Sequence, residues 1–513
     1  MKIILLLLII FCVCEYTKSA NILVLIPSPF YSHQATFRPL WRELSKKGHK
    51  ITLITTDLME ENENITQIDI SNVYELTKNN VLIEILQGGI INMIRKGLLM
   101  VDNFFKYILT NPDVKELIAS DKKFDLFFVE LLIPAFSVLS AKFNCPYIGL
   151  NSMDPPSFIH SAVGNAIHPS VYPFANLGFG AELSFKERLI STSVLVVMST
   201  MEKIVWPTAD RFFRKYIDYD LPDAHHIIRN VSLVFSNANP IFFPAKPITP
   251  ITINLGGGLH LMEPKKLPKD LQDYLDQSKD GCIYFSLGST INSNYLSRET
   301  IEIFRQTFEE LAPMRVLWKY ENETLENKPH NLEIRKWLPQ HDVLRHPNVK
   351  VFITQGGLQS MEEAIDSAVP MLGMPFYGDQ KNNVKKMSIK KFGIALDVAT
   401  IDKKSLKDAI LELVDNPLYK KNIEKLSAIS KDQPMTGIEK AVWWTEYVLR
   451  HGGTEHLRSP SADIPLYQYF FLDIIAFVIL VFIVLILLVY YLIKLIRTIF
   501  RLVFSKRNKV KTN

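Results

Sequence analysis

Residues 337–383 of this chain, WLPQHDVLRHPNVKVFITQGGLQSMEEAIDSAVPMLGMPFYGDQKNN, hold side chains whose types and spacing suit binding chemistry. VKVFIT is a β-branched and aromatic run of strand length. Gln355, Gly356 and Gly357 break it, and residues 358–366 resume at helical spacing. Glycines between a strand and a helix let an anionic group approach the backbone. The helix N-terminus then offers that anion unpaired N–H groups and a partial positive charge. A lone Gly-Gly pair is usually only a turn. Here Trp337, Gln340, Ser360, Glu363 and the Asp379–Gln380 pair share the window and strengthen the anion-site reading.

A second set lies near the other end. NILVLI at 21–26 is an uninterrupted apolar strand of the kind buried in parallel sheets. A loop with Pro27, Pro29, Ser32 and His33 follows, then a helix from about 35 to 47, and a further strand at 50–55. In such a βαβ unit the ligand site lies beyond the C-terminal ends of the strands, which is where His33 stands. FDLFFV at 124–129 is another strand, and Glu130 leaves it at the same edge, whereas Asp125 sits at its entry. A carboxylate beside an imidazole fixes its tautomer and stabilises the imidazolium. The plainer alternatives are a histidine that caps the helix and a surface glutamate. His160, His168, His225 and His226 have no metal-ligand spacing, and no metal is expected. Asp218-Tyr-Asp220 has the form of a metal–diphosphate pair but reads as a solvated helix end before Pro222.

The elements that carry these residues form two strand–helix alternations. The first spans 21–240, with residues 151–225 mostly helical. A linker at 241–275 is marked by prolines and Gly256-Gly257-Gly258. The second spans 276–450, with strands at 283–287, 315–319, 332–335 and 394–398, and helices at 297–311, 403–414 and 417–430. The expected fold class is α/β, two doubly wound parallel sheets facing a cleft, where ligands usually sit.

Both ends lie outside those domains. Lys2 and the apolar run that follows read as a signal peptide over 1–20. Residues 474–493 carry no charge and would span about 30 Å as a helix, the thickness of a bilayer core. The tail at 494–513 is basic without an acid, which predicts a single pass with the body in the lumen and the tail in the cytosol. Since the tail supplies more than the whole formal net charge of +5, the body is acidic on balance, and a nucleic-acid partner is not supported. After removal of the signal only Cys145 and Cys282 remain, and they read as buried free thiols. Asn64, Asn230 and Asn322 head glycosylation sequons.

With these pieces in place the chain resembles the UDP-glycosyltransferase family, most closely the membrane-anchored animal enzymes of insect type. The resemblance rests on NILVLIPSPFYSH, FFVE with the following IP, YFSLGS, the 337–383 signature, Asp432-Gln433-Pro434 and the anchor with its basic tail. It implies the GT-B fold, with a nucleotide sugar on the second domain. It also implies that Trp337 stacks on uracil and that Gln340 bonds the base or ribose. Ser289, Gln359 and Ser360 would donate to the diphosphate beside Gly356 and Gly357, Glu363 would bind ribose, and Asp379 and Gln380 would hold the sugar. Glu362 is expected to be exposed. His33 becomes the general base of a single displacement with inversion, with UDP-sugar as co-substrate and no further cofactor.

Two positions depart from the family pattern. Glu130 stands where an aspartate usually orients the histidine, which leaves the His33–Glu130 bond in question. Gln355 stands where a histidine usually contacts a phosphate, and its amide cannot carry positive charge.

The expected activity is transfer of a sugar, most readily glucose and next glucuronate, to a small lipophilic hydroxyl compound. The competing reading is a catalytically silent, membrane-anchored binding protein that keeps the nucleotide-sugar site. Lys509 and Lys511 resemble a di-lysine signal and predict residence in the endoplasmic reticulum. A homo-oligomer is left open.

Overall fold

The computed structural model describes residues 19–80, 89–174, 177, 179, 182–217, 220–289, 296–322, 324–376 and 378–510. The signal segment up to residue 18, Asp218 of the Asp-x-Asp pair and Lys511 of the di-lysine pair lie outside them.

Residues up to Arg458 form one compact unit holding two parallel sheets. The first has seven strands: β1 (Asn21–Ile26), β2 (Lys50–Thr55), β3 (Ile65–Asp69), β4 (Leu126–Glu130), β5 (Tyr147–Asn151), β6 (Leu233–Ser236) and β7 (Thr252–Asn254). Their order is β3-β2-β1-β4-β5-β6-β7. The second has six: β8 (Cys282–Ser286), β9 (Arg315–Lys319), β10 (Leu332–Arg335), β11 (Val349–Thr354), β12 (Met371–Gly373) and β13 (Gly393–Ala395), ordered β10-β9-β8-β11-β12-β13. Apolar strands such as NILVLI and CIYFS are buried along nearly their whole length, as parallel strands covered by helices on both faces must be.

In each sheet the winding reverses beside the first strand, between β1 and β4 and again between β8 and β11. Crevices open at such switch points beyond the strands' C-terminal ends. β1 leads to His33 and β4 ends at Glu130, while β8 leads to Ser289 and β11 to Gln355, Gly356 and Gly357. Each half of the candidate site therefore hangs from a switch point.

Several details differ from expectation. β3 and β7 are strands that the sequence pattern did not mark, and β7 lies inside the proline-rich linker, where it pairs with β6. The helix Tyr31–Lys46 begins early enough that His33 sits in its first turn and not in the preceding loop. The helix Gly437–His451, which falls at the end of the 276–450 span expected for the second domain, packs on the Tyr31–Lys46 helix and joins the first core through Ala441, Val442 and Val448. Cys145 and Cys282 are free, and burial pushes each thiol up to about 12.

Residues from Ser459 onward form a separate unit. Its main element is the helix Leu472–Val510, which continues through the basic tail, well past residue 493. Its stretch Leu472–Leu502 contains an exposed 18-residue window with a mean hydropathy of 3.5 and is long and apolar enough to cross a membrane.

Candidate active site

On the first domain, the imidazole of His33 is bonded through Nδ1 to Oε1 of Glu130. Glu130 is only 2% exposed, and Ser28 anchors it twice: the hydroxyl donates to Oε1 at 3.0 Å and the backbone N–H donates to Oε2 at 3.3 Å. The longer glutamate side chain therefore reaches the histidine, and the question raised by its extra methylene is settled in favour of the pair. With Nδ1 engaged by the carboxylate, Nε2 is the ring nitrogen left to meet a substrate proton. Ser28 belongs to this site and was not singled out from sequence, although SPFYSH places it five residues before His33.

On the second domain, Trp337 is 60% exposed and so is not part of the core. Its ring meets the edge of Tyr31 from the first domain at a centroid distance of 5.8 Å, and Lys319 Nζ lies 5.8 Å from the ring centroid. The indole is a ready flat platform. Gln340 donates through Nε2 to Ser360 Oγ at 3.0 Å and to Glu363 Oε2 at 2.6 Å, while its carbonyl accepts from the Tyr284 hydroxyl at 3.2 Å. Burial raises the Glu363 carboxyl above its ordinary range, against the pull of Gln340, His341 and Arg345.

Both glycine turns have the shape expected for an anion cradle. Gly356 has φ +82°, and a Cβ there would come within 2.3 Å of Val384 Cγ2. Gly357 is the N-cap of the helix Leu358–Asp366 and brings no capping side chain of its own. Ser289 is exposed on the turn that follows β8. Gln355 folds back between the two turns. It is 6% exposed, its carbonyl accepts from Thr354 Oγ1 at 3.0 Å, and its Nε2 would be 2.2 Å from a Cβ on Gly288.

Asp379 receives a hydrogen bond from Asn383 Nδ2 at 2.7 Å, and the same amide donates to Gly356 O at 3.1 Å. Asn383, unassigned from sequence, thus braces Asp379 against the glycine turn. Burial raises the Asp379 carboxyl, against hydrogen bonds from Asn383 and the backbone at Asp379 and Leu358 and a smaller pull from His33 across the cleft. Gln380 is buried and accepts from the Phe376 N–H at 2.8 Å. Gln359 Nε2 donates to Thr36 Oγ1 at 3.3 Å, a direct bond between the domains.

Glu362 corrects an expectation: it is 4% exposed, not a surface residue, and burial pushes its carboxyl up to about 8. The helix Leu358–Asp366 is covered on that side by the linker glycines, so the residue beside Glu363 has no path to solvent. Of the sequon asparagines, Asn230 and Asn322 are exposed, while Asn64 is half-buried with Nδ2 donating to Ser45 O at 3.3 Å. Asp220 is exposed, and no group of three metal-ligating side chains occurs among the described residues.

Comparison with known proteins agrees with this geometry. The family model for UDP-glucoronosyl and UDP-glucosyl transferase matches residues 21–510. UDP-glycosyltransferase UGT5 of Dactylopius coccus is 32% identical over 96% of this chain and 95% of its own length. UDP-glucuronosyltransferase 2B9 of Macaca fascicularis is 28% identical over 89% of each. Among solved structures, a UDP-glucose:anthocyanidin 3-O-glucosyltransferase in complex with UDP superposes with a TM-score of 0.55 at 16% identity, covering 85% of this chain and 100% of that one. Calicheamicin glycosyltransferase CalG4 gives a TM-score of 0.54 at 16% identity over 85% of this chain and 99% of its own. These two share the GT-B fold. The chain belongs to the UDP-glucoronosyl and UDP-glucosyl transferase family, enzymes that move a sugar from a UDP donor to an acceptor.

Proposed function

We propose that this enzyme transfers glucose from UDP-glucose to the hydroxyl of a small lipophilic acceptor, with inversion at the anomeric carbon and His33 as general base. The observation that carries the reading is the His33–Glu130 pair standing across the cleft from Asp379 and the Trp337 platform. The carboxylate keeps the proton on Nδ1, so Nε2 accepts the acceptor's hydroxyl proton as its oxygen attacks the anomeric carbon. The bond from that carbon to the β-phosphate oxygen breaks, and UDP departs with the electron pair.

In this reading uracil stacks on Trp337, and Gln340 and Glu363 hold the base and ribose. Ser289, Gln359, Ser360 and the helix end at Gly356 and Gly357 stabilise the charge that grows on the diphosphate. Gln355 contributes at most one amide donor to it. Asp379 and Gln380 position the sugar hydroxyls. Glucose is preferred over glucuronate because Gln380 suits a neutral sugar and UDP-glucosyltransferase 2 of Dactylopius coccus, at 33% identity, exceeds the glucuronosyltransferases at 27–29%. No cofactor beyond the co-substrate enters the scheme, and no metal.

The C-terminal helix is taken to anchor the enzyme in the endoplasmic reticulum membrane, body in the lumen and tail in the cytosol. An apolar acceptor that partitions into lipid then meets the enzyme at the membrane. The test is incubation of the full chain in microsomes with radiolabelled UDP-glucose or UDP-glucuronate and a panel of phenols and steroids, with the product anomer read by NMR. Transfer from glucuronate alone, a retained anomeric configuration, or full turnover by His33→Ala each overturns the corresponding part.

A further inference from the structure

The linker turn Gly256-Gly257-Gly258, with φ of +87°, +78° and +66°, is more than a spacer. It runs so close to the helix Leu358–Asp366 that a Cβ on Gly257 would come within 2.6 Å of Glu362 Oε1. Just beyond it the linker inserts His260, whose side chain is 7% exposed, between two neighbouring carboxylates of that helix. Nδ1 lies 3.7 Å from Glu362 Oε2, and Nε2 lies 3.6 Å from Glu363 Oε1. The opposite oxygen of Glu363 is the one bonded by Gln340 at 2.6 Å. Neither nitrogen of His260 nor either oxygen of Glu362 makes a well-formed hydrogen bond among the described residues, although all four atoms are buried, with the Gln359 backbone beside the ring and the Gly258 backbone and Asn237 beside the carboxyl. Four buried polar atoms so close together and unpaired are costly unless they pair with one another after a small approach.

We propose that His260 is a positioning residue for the donor site: from the linker it orients Glu363 through Nε2, while Glu362 fixes its tautomer through Nδ1. The inference rests on the reading of Glu363 as the ribose carboxylate. One proton order satisfies both nitrogens of His260 and the facing oxygen of Glu362. Glu362 is protonated and donates to Nδ1, and Nε2–H donates to the ionised Glu363. Burial supports that order. It pushes His260 down to about 3, with His341 adding to the effect against the Gln359 backbone and Asp366, and it pushes Glu362 up to about 8 against the Gly258 backbone and Asn237. The segment that joins the two domains is thereby coupled to the group that holds the nucleotide, and one carboxylate is gripped from both sides, by Gln340 and by His260.

The experiment is calorimetric titration of the detergent-solubilised full chain with UDP and with 2′,3′-dideoxy-UDP, which lacks the hydroxyls that Glu363 would hold. His260→Phe, which keeps the ring volume, is expected to weaken UDP about tenfold and leave dideoxy-UDP unchanged, with His260→Gln recovering most of the loss. Equal loss for both nucleotides, or none, overturns the inference. Should His260→Phe fail to fold, Glu362→Leu is expected to show the same selective loss at a smaller size, and its absence there is equally decisive. Glu363→Gln separates the two levels. If it leaves discrimination between the nucleotides intact, the ribose reading itself fails. If it abolishes discrimination while His260→Phe does not, only the role of His260 is wrong.

Discussion

Gln359 Nε2 donates to Thr36 Oγ1 at 3.3 Å, and Thr36 Oγ1 in turn donates to Ser32 O at 2.8 Å. The first residue is next to Ser360 on the helix Leu358–Asp366, whose N-terminus is proposed to face the donor. The second lies one turn beyond His33. This single bond ties the donor-binding helix to the helix that carries the proposed base. It is one of several contacts that join the two halves, beside the Tyr31–Trp337 ring contact and the Gly437–His451 helix. Thr36→Val keeps shape and removes the acceptor. It should lower kcat a few-fold with a smaller change in UDP affinity, as measured by steady-state kinetics and UDP titration, because it loosens the approach of the two helices and releases the Gln359 amide proposed to donate to the diphosphate.

The His33–Glu130 pair makes the sharpest kinetic prediction. Glu130→Gln keeps the volume and loses the charge that stabilises the imidazolium, so kcat should fall by about 10²–10⁴ while UDP binding persists. Ser28→Ala removes the hydroxyl that anchors the carboxylate and should cost about tenfold. A Glu130→Gln enzyme with undiminished kcat would remove the carboxylate from the mechanism.

Trp337 separates binding from stability. At 60% exposure it contributes little to the core, so Trp337→Ala should leave the melting temperature within a degree or two. The loss of a stacking face should weaken UDP by about 1–3 kcal/mol, read by calorimetry.

Gln355 sits between Gly288 and Gly357 without a positive charge to offer. Gln355→Ala should reduce kcat by no more than about tenfold, since helix-end N–H groups and Ser360 carry the rest of the leaving-group stabilisation. Single-turnover kinetics checks this, and a larger loss would place the buried amide at the centre of UDP departure.

Glu362 links the linker to pH. Its carboxyl is raised from 4.5 to about 8 in the folded protein, so the native state holds a proton that the unfolded chain releases above pH 4.5. The stability tied to that proton is fully present below about pH 4.5 and is lost as pH rises toward 8. Glu362→Gln has nothing to ionise. Thermal unfolding should show it matching the wild type near pH 5 and exceeding it near pH 8, by about 2–4 °C for each kcal/mol recovered.

The strands and the donor signature were legible because they are local. NILVLI and VKVFIT are apolar runs that only a covered parallel strand explains, and Gly356 and Gly357 follow β11 directly in the chain. β3 and β7 were missed for the converse reason. ITQID is half-exposed, and TIN is three residues inside a proline-rich stretch, so neither has a pattern strong enough to stand without its neighbour in the sheet. The helix Gly437–His451 carries an apolar face that is visible in sequence, but a face does not name its partner, and it returned to the first domain.

Sequence by itself determined the two sheets, the glycine turn, the apolar C-terminal helix and the types of residue at each half-site, because strand and helix periodicity and turn chemistry are properties of short segments. Only the tertiary structure decided which of those residues meet. Glu130 reaches His33 because β4 lies beside β1 and Ser28 holds the carboxylate; Glu362 is buried because a glycine turn from the linker covers it; Gln359 finds Thr36 across 323 positions of chain. Such contacts depend on distances set by two packed domains at once, and no periodicity records them.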